Sequence, residues 1–260
     1  MEVIMCEPTY FDVVTVGQNP FMRRKGGIDK KKARAQWDAL VHTIRGLGYT
    51  VKVIRPNPAF PDQVFTQDQA IVEGGRQILA NFSVEGRRGE EKEFAKIVRA
   101  GTQWTCPVPF ECELLLSDTS STKAWMGYGI RTHMEAIPCV RKIFPKVTPL
   151  HLIDPRFYHI DLALCILPKD IAIVYFPAFD KPSQELIRKT TTDRYELSEE
   201  EALQFMANAV SLGDAVVANS FSRPLAAWLR ARSLRPITSP VTEFHKSGGS
   251  VHCLVNKIRK

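Results

Sequence analysis

Near the C-terminus runs Lys246-Ser247-Gly248-Gly249-Ser250-Val251-His252-Cys253-Leu254, where two glycines and a serine lead into a cysteine followed by an apolar run. A cysteine so placed reads in three ways: a buried residue of a last strand, a metal ligand paired with His252, or a nucleophile at the end of a glycine-rich loop. Three other segments put polar groups where apolar ones are expected. In residues 64 to 72, VFTQDQAIV, Asp68 interrupts a strand-like run. A carboxylate there is unfavourable unless it is at an edge, paired or functional. In residues 155 to 167, PRFYHIDLALCIL, His159 and Asp161 stand two apart, so that on a strand they share one face while Ile160 and Leu162 pack behind. In residues 127 to 132, GYGIRT, the glycines permit close backbone approach and Arg131 offers a forked donor suited to a carboxylate. A cysteine, a histidine and at least two carboxylates on separate strands are the minimum set for covalent thiol catalysis on a cationic substrate.

Something must hold these groups, and the chain is large enough to do so. With 260 residues, 44% of them hydrophobic, it can bury a sizeable core. The hydrophobic period changes in a rhythm. Residues 2–6 read as a strand, 29–47 as an amphipathic helix stopped by Gly46 and Gly48, and 50–55 as a second strand. Two strand-like runs then surround Asp68 and QILANF, a helix covers about 89–100, and a strand follows near Trp104 to Phe110. Further cycles hold KAWMGYGI with a helix at 132–143, then HIDLALCIL and DIAIVYF with a helix at 182–190, and another at 198–208. Cycles of strands, one helix and a further strand, without sequence identity between copies, imply structural repetition within one α/β domain over residues 1–260. The informative polar residues fall at strand ends and in the turns after them, where scaffolds present chemistry.

The six cysteines are scattered, with no CxxC pair, which argues for free thiols in a reducing compartment and against a zinc site. The short apolar run before Pro8 reads as a strand rather than a signal peptide, and no stretch approaches transmembrane length, so the expectation is a cytoplasmic protein without membrane contact. A net charge of +7 suits an acidic partner, but the basic residues are dispersed among acids, which argues against nucleic acid and leaves a carboxylate-bearing small molecule. A homo-oligomer is compatible with all of this.

Taken in order, VFTQDQAIV, GRRGEE, GYGIRT, DPRFYHID and EFHKSGGSVHCL resemble the guanidino-group modifying enzymes: arginine deiminases, dimethylarginine dimethylaminohydrolases, arginine dihydrolases and amidinotransferases. The resemblance runs over nearly the whole chain and is strongest to the compact dihydrolase branch. It implies an α/β propeller (pentein) of five ββαβ-type units around a central channel, in agreement with the rhythm above. It also implies Cys253 as nucleophile and His159 as general acid and base. Asp68 and Asp161 match carboxylates that grip the guanidinium, Arg131 and Arg87 match groups that hold the substrate's α-carboxylate, and Glu111 matches an additional active-site acid. Asn19, in QNPFM, matches an asparagine beside the pocket. No metal or organic cofactor is implied. The expected reaction is hydrolysis of arginine or an N-methylated arginine through a covalent amidino-thioether, giving citrulline and ammonia or a methylamine. The alternatives are amidino transfer or ornithine-forming dihydrolysis.

Two positions depart from the family pattern. Relatives follow the acid with E-G-x-G-D, whereas here Phe110-Glu111-Cys112-Glu113-Leu114 runs on to Ser117-Asp118 without the glycines, which leaves three readings: Glu111 is presented by a different loop, Glu113 takes its place, or the site has lost part of its catalytic set. Dihydrolases carry Asn where this chain has Asp68, which points to a single hydrolytic step. A rival of another class is a non-catalytic binding protein, since a ribosome-associated translation factor also uses this propeller. The plainer readings are that Cys112, Cys139 and Cys165 are core thiols, that His133 and His245 are solvated, and that His252 faces away from Cys253 as the next residue of a strand.

Overall fold

The computed structural model describes residues 2–98, 100–116 and 122–259. The first local decision is made at Asp29, whose side chain accepts the amide of Lys32 and caps helix α1 (Lys30–Gly46). Ala33, Trp37, Leu40, Val41 and Ile44 recur at helical spacing and are all buried, so one stripe of α1 covers the sheet while its lysines face water. Gly48, at φ 85°, reverses the chain after the helix and delivers it to β2 (Thr50–Ile54), parallel to β1 (Glu2–Cys6).

The same unit recurs four times more. An antiparallel hairpin leads through a helix to a third strand, which runs parallel to the hairpin's second strand. The elements are β3 (Ala70–Glu73), β4 (Arg76–Leu79), α2 (Glu90–Ile97) and β5 (Thr102–Thr105); then β6 (Leu114–Leu116), β7 (Lys123–Tyr128), α3 (Ile137–Val140) and β8 (Lys146–His151). Next come β9 (Leu164–Leu167), β10 (Ile171–Val174), α4 (Lys181–Thr190) and β11 (Asp193–Glu196), followed by a short α5 (Glu199–Leu203). The last full unit is β12 (Val210–Leu212), β13 (Ala215–Ala218), α6 (Arg223–Arg230) and β14 (Arg235–Thr238), after which α7 (Thr242–His245) leads to β15 (Asn256–Ile258). β15 pairs antiparallel with β1, so the two ends of the chain complete one sheet and close the ring.

Five three-stranded sheets therefore stand around an axis as an α/β propeller, with β3, β6, β9, β12 and β15 innermost. β15 lies against β3, and β9 against both β6 and β12. Burial follows this order: β3, β9 and β12 are buried at every residue, whereas β2, β5 and β14 each carry exposed residues. Inner strands are covered on both faces, and for that reason they read as continuous apolar runs.

Some expected elements are shorter than the pattern suggests. The strand expected near 104–110 lies at Thr102–Thr105, because Pro107 and Pro109 have no amide to give a ladder. The helix expected over 132–143 is a 3₁₀ turn at Met134–Ala136 followed by α3. The one expected over 198–208 stops at Leu203, two residues before Phe205 takes φ 60°. The last full unit, from β12 to β14, carried no period that the sequence reading resolved.

Candidate active site

Asp68, His159 and Cys253 do not lie within strands. Asp68 ends a 3₁₀ turn, Thr66–Asp68, before β3, and His159 caps another, Ile160–Leu162, before β9. Cys253 sits in a turn over residues 251–254 before β15. Asp68, Glu111, His159, Asp161 and Cys253 thus stand in turns that precede inner strands, whereas Arg87 and Arg131 stand in turns that follow β4 and β7, as the sequence leads one to expect.

Cys253 Sγ lies 3.3 Å from Asp161 Oδ2, and His252 Nδ1 is 2.8 Å from the same oxygen. His252 therefore points into the site, contrary to the strand-based expectation, because a turn does not alternate faces as a strand does. The glycines before the cysteine are required by packing. A Cβ on Gly249 would stand 2.2 Å from the Phe65 ring, and Gly248, at φ 87°, would put one 2.5 Å from the Tyr158 hydroxyl. That hydroxyl donates to the Gly248 carbonyl at 2.8 Å. Burial, with the charges of Asp161 and Asp68, pushes the Cys253 thiol well above its ordinary value; the Ser250 amide and Asn208 act the other way.

His159 Nε2 pairs with Glu111 Oε2 at 3.0 Å, while its Nδ1 is 3.7 Å from Asp68 Oδ1. Burial would lower the imidazole, but the carboxylates of Asp68, Glu111 and Glu113 outweigh it and raise His159 to about 9. Burial would likewise lift Glu111, but its bond to His159 and the charges of His159, Arg131 and Arg87 take it down to about 2. The Ser83 amide and hydroxyl both donate to Glu111 Oε1, and the Glu111 amide donates to Thr132 Oγ1 of the GYGIRT segment at 3.1 Å. The loop that lacks the family's glycines nevertheless keeps a left-handed residue, Cys112 at φ 53°. Glu111 is thus the acid that meets His159. Glu113 accepts the Ile160 amide at 3.2 Å, and burial lifts its carboxyl to about 7. Ser117 and Asp118 lie outside the described residues.

Arg87 is buried with its guanidinium already engaged: Nη1 donates to Asp68 Oδ2 at 2.6 Å, while Nε and Nη2 grip Glu90 at 3.0 and 2.8 Å. Arg131 stands at the mouth, over the Tyr158 ring, with Nη2 donating to the Gln18 carbonyl at 2.8 Å and Nη1 at 3.5 Å from Glu111. Asn19 is buried, bonded to the Ser247 carbonyl at 3.0 Å, and its Oδ1 accepts the amides of Phe21 and Met22. Asp68, Arg87, Arg131, His159 and Cys253 line one cavity together with Asp62, whose carboxylate accepts from Ser247 Oγ at 2.9 Å. Outside it a wider vestibule is bounded by Val16, Ile130, Arg131 and Pro155.

A cysteine beside a carboxylate, with an imidazole poised between acids, is the arrangement that the family likeness predicts, and comparison with known proteins decides the kinship. The family model described as "N,N dimethylarginine dimethylhydrolase, eukaryotic" matches residues 7–260. The chain belongs to this family, within the guanidino-modifying pentein superfamily. It is 34% identical over 99% of its length to the bifunctional arginine dihydrolase/ornithine cyclodeaminase ArgZ of Synechocystis, but spans only 38% of that protein. It is 31% identical to the N(G),N(G)-dimethylarginine dimethylaminohydrolase of Mycobacterium tuberculosis, covering 98% of this chain and 84% of that one. Among solved structures, the substrate-bound N-terminal domain of ArgZ superposes with a TM-score of 0.95 at 32% identity, covering 100% of this chain and 98% of that one.

Several polar residues of this family member's pocket were not singled out in the sequence. Asp62 lies in FPDQVF, where a carboxylate in a short stretch bounded by Phe60 and Phe65 is the available signal. Ser83 has no such signal; it reaches Glu111 across 28 residues through tertiary structure alone. His245, expected to be solvated, stacks on Phe205 at 4.3 Å and bonds Ser250 Oγ at 3.1 Å. All six cysteines are buried, and among the described residues no group of three or more His, Cys, Asp and Glu side chains is arranged to hold a metal ion. No helix among them is long and apolar enough to cross a membrane.

Proposed function

We propose that the chain is a cofactor-free cysteine hydrolase of the guanidino group of arginine or an N-methylated arginine. The observation that carries this is the shared carboxylate: Asp161 Oδ2 meets both Cys253 Sγ and His252, while its buried Oδ1 has no hydrogen-bond partner among the described residues. A buried acceptor without a partner costs about 1–3 kcal/mol, and a guanidinium N–H seated beside the thiol would satisfy it.

A guanidinium carbon is a poor electrophile, so the cation must be held along its N–H edges and presented to a strong nucleophile. Asp161 and Asp68 take those edges in the proposal, with Arg87 and Glu90 fixing Asp68 from behind. Arg131, at the mouth, keeps donors for a substrate carboxylate, and Asn19 ties the covering loop to the Ser247 carbonyl. The arriving cation offsets the negative field of Asp161 and Asp68 and lets the Cys253 proton leave through Asp161 to solvent. The thiolate then attacks the central carbon. His159, protonated at neutral pH with a value of about 9, gives its proton to the departing nitrogen, which leaves as ammonia or a methylamine. An amidino-thioether remains on Cys253. Neutral His159 takes a proton from water, whose oxygen attacks the same carbon; the carbon–sulfur bond breaks and citrulline and the free thiol are restored.

Asp68 in place of the dihydrolase asparagine supports a single hydrolytic step. The proposal places the enzyme in the cytoplasm, a reducing compartment suited to a catalytic thiol and to cysteines scattered without a CxxC pair. Citrulline, ornithine and amines measured with arginine, monomethylarginine and dimethylarginine, beside Cys253→Ala, test the reading. Citrulline as the end product, lost in the variant, is expected. No product from any of the three refutes the hydrolase, and ornithine as the main product refutes the reading of Asp68.

A further inference from the structure

The propeller presents the same position five times. In four units the turn before the inner strand supplies a reactive or ligating group: Asp68 before β3, Glu111 before β6, His159 and Asp161 before β9, and Cys253 before β15. The fifth inner strand, β12, begins at Val210, and Asn208 stands two residues before it, as Asp68 stands two residues before Ala70. Asn208 is fully buried. Having no charge, it gave no signal in a search for nucleophiles, acids and bases.

Every polar atom of its side chain is used on the nucleophile turn or its partner. Nδ2 donates to Cys253 Sγ at 3.2 Å and to the Asp161 carbonyl at 3.3 Å. Oδ1 accepts the amides of His252 at 2.9 Å and Cys253 at 3.4 Å. We propose that Asn208 is the neutral hydrogen-bond donor that stabilises the Cys253 thiolate and, through its carbonyl, fixes the turn that aims it. The inference rests on Cys253 being the attacking thiol.

The choice of a neutral amide has a physical reason. The sulfur lies beside Asp161, so its anion is opposed by like charge, and some donor must offset that field. A lysine or arginine at 208 would do so, but would pair with Asp161 and repel the cationic substrate from the same space. An amide N–H supplies a fixed dipole to the sulfur while leaving the carboxylates free for the guanidinium, in the manner of a preorganised oxyanion donor. The Asn208 carbonyl, facing two consecutive backbone amides, sets which way the amide nitrogen points.

The test needs no substrate, so it stands apart from the hydrolase reading. Alkylation of Cys253 by iodoacetamide is followed by peptide mass spectrometry from pH 7 to 11.5 in the wild type, Asn208→Asp and Asn208→Ala. Asn208→Asp keeps an acceptor for both amides but loses the N–H and adds charge of the unfavourable sign. A hydrogen bond to a charged group corresponds to about 10- to 100-fold in the thiolate equilibrium, so both variants are expected to alkylate about 10- to 100-fold more slowly below the midpoint, with the midpoint one to two pH units higher. Rates within twofold of the wild type in a folded variant overturn the proposal. In the unmodified protein, the Asn208 side-chain amide proton must shift in the nitrogen-correlated NMR spectrum with the same midpoint as Cys253 alkylation, and must stop shifting in Cys253→Ala. An amide signal indifferent to that titration overturns it even if neither variant folds. A wild type that turns over no guanidino compound but shows the shared midpoint would sink the hydrolase reading and leave the role of Asn208 standing.

Discussion

Replacing Glu111 by glutamine removes a charge from His159 while keeping an oxygen to accept its N–H. The imidazole rises from 6.5 to about 9 because Asp68, Glu111 and Glu113 surround it, and Glu111 is the one at hydrogen-bond distance, 3.0 Å. Hydrogen bonds to charged groups contribute about 1.5–3 kcal/mol against about 0.5–1.5 for neutral ones, a difference of about 1–1.5 kcal/mol. At 1.36 kcal/mol per unit, His159 is expected to fall by about one unit, to about 8. The chain has six histidines, so the imidazole Cε1–Hε1 signals can be followed individually by NMR from pH 5 to 10, with His159→Asn supplying the assignment. The high-pH limb of kcat should move down by the same amount, since His159 must be protonated to release the leaving amine. A His159 midpoint within 0.3 unit of wild type in Glu111→Gln, or one near 6.5 in the wild type, refutes the reasoning that Glu111 holds this proton in place.

Three further outcomes follow from the same geometry. Glu111, lowered from 4.5 to about 2, adds stability that is complete above 4.5 and lost as pH falls through about 2; His159, raised from 6.5 to about 9, adds stability that is complete below 6.5 and lost as pH rises through about 9. The difference in urea midpoint between the wild type and a Glu111→Gln/His159→Asn double variant should therefore be greatest between pH 4.5 and 6.5 and shrink above 6.5 and below 4.5, and a difference that does not change with pH would contradict the pairing. Arg87→Ala leaves Asp68 and Glu90 buried without their cation and should cost about 3–5 kcal/mol by denaturant unfolding; a loss under 1 kcal/mol would show that Arg87 does not anchor Asp68. Gly249→Ala forces a methyl into the Phe65 ring and should cost about 1–3 kcal/mol and slow Cys253 alkylation, whereas a change under 0.5 kcal/mol would mean that the turn is not packed as described.

The sequence was most legible where local physics governs. The period of α1, its Asp29 cap and the strands flanking it stand within a residue or two of their expected bounds, because one amphipathic stripe and two stop signals suffice to define them. The site was legible as a set of residue types, and Cys253, His159, Asp68, Asp161 and Glu111 do meet around the channel. Their local geometry was not. A polar residue just before a buried strand looks like a break within it, so Asp68 and His159 read as strand positions when they belong to turns, and the rule of alternating faces sends His252 away from the carboxylate it touches. The resemblance gives Arg87 as a group for the substrate's α-carboxylate, whereas its guanidinium is taken up by Asp68 and by Glu90 in the first turn of α2. Asn208 and Ser83 carry no charge and act through tertiary proximity, which no spacing along the chain records.

The central claim is that Cys253 attacks the guanidinium carbon and briefly carries it. The direct measurement is mass spectrometry of the wild-type protein quenched in acid at millisecond to second intervals during turnover of arginine or a methylated arginine. The account predicts a peptide containing Cys253 whose added mass equals the substrate less its departed amine, absent in Cys253→Ala. Citrulline formed with no such adduct, and formed equally by Cys253→Ala, would contradict it.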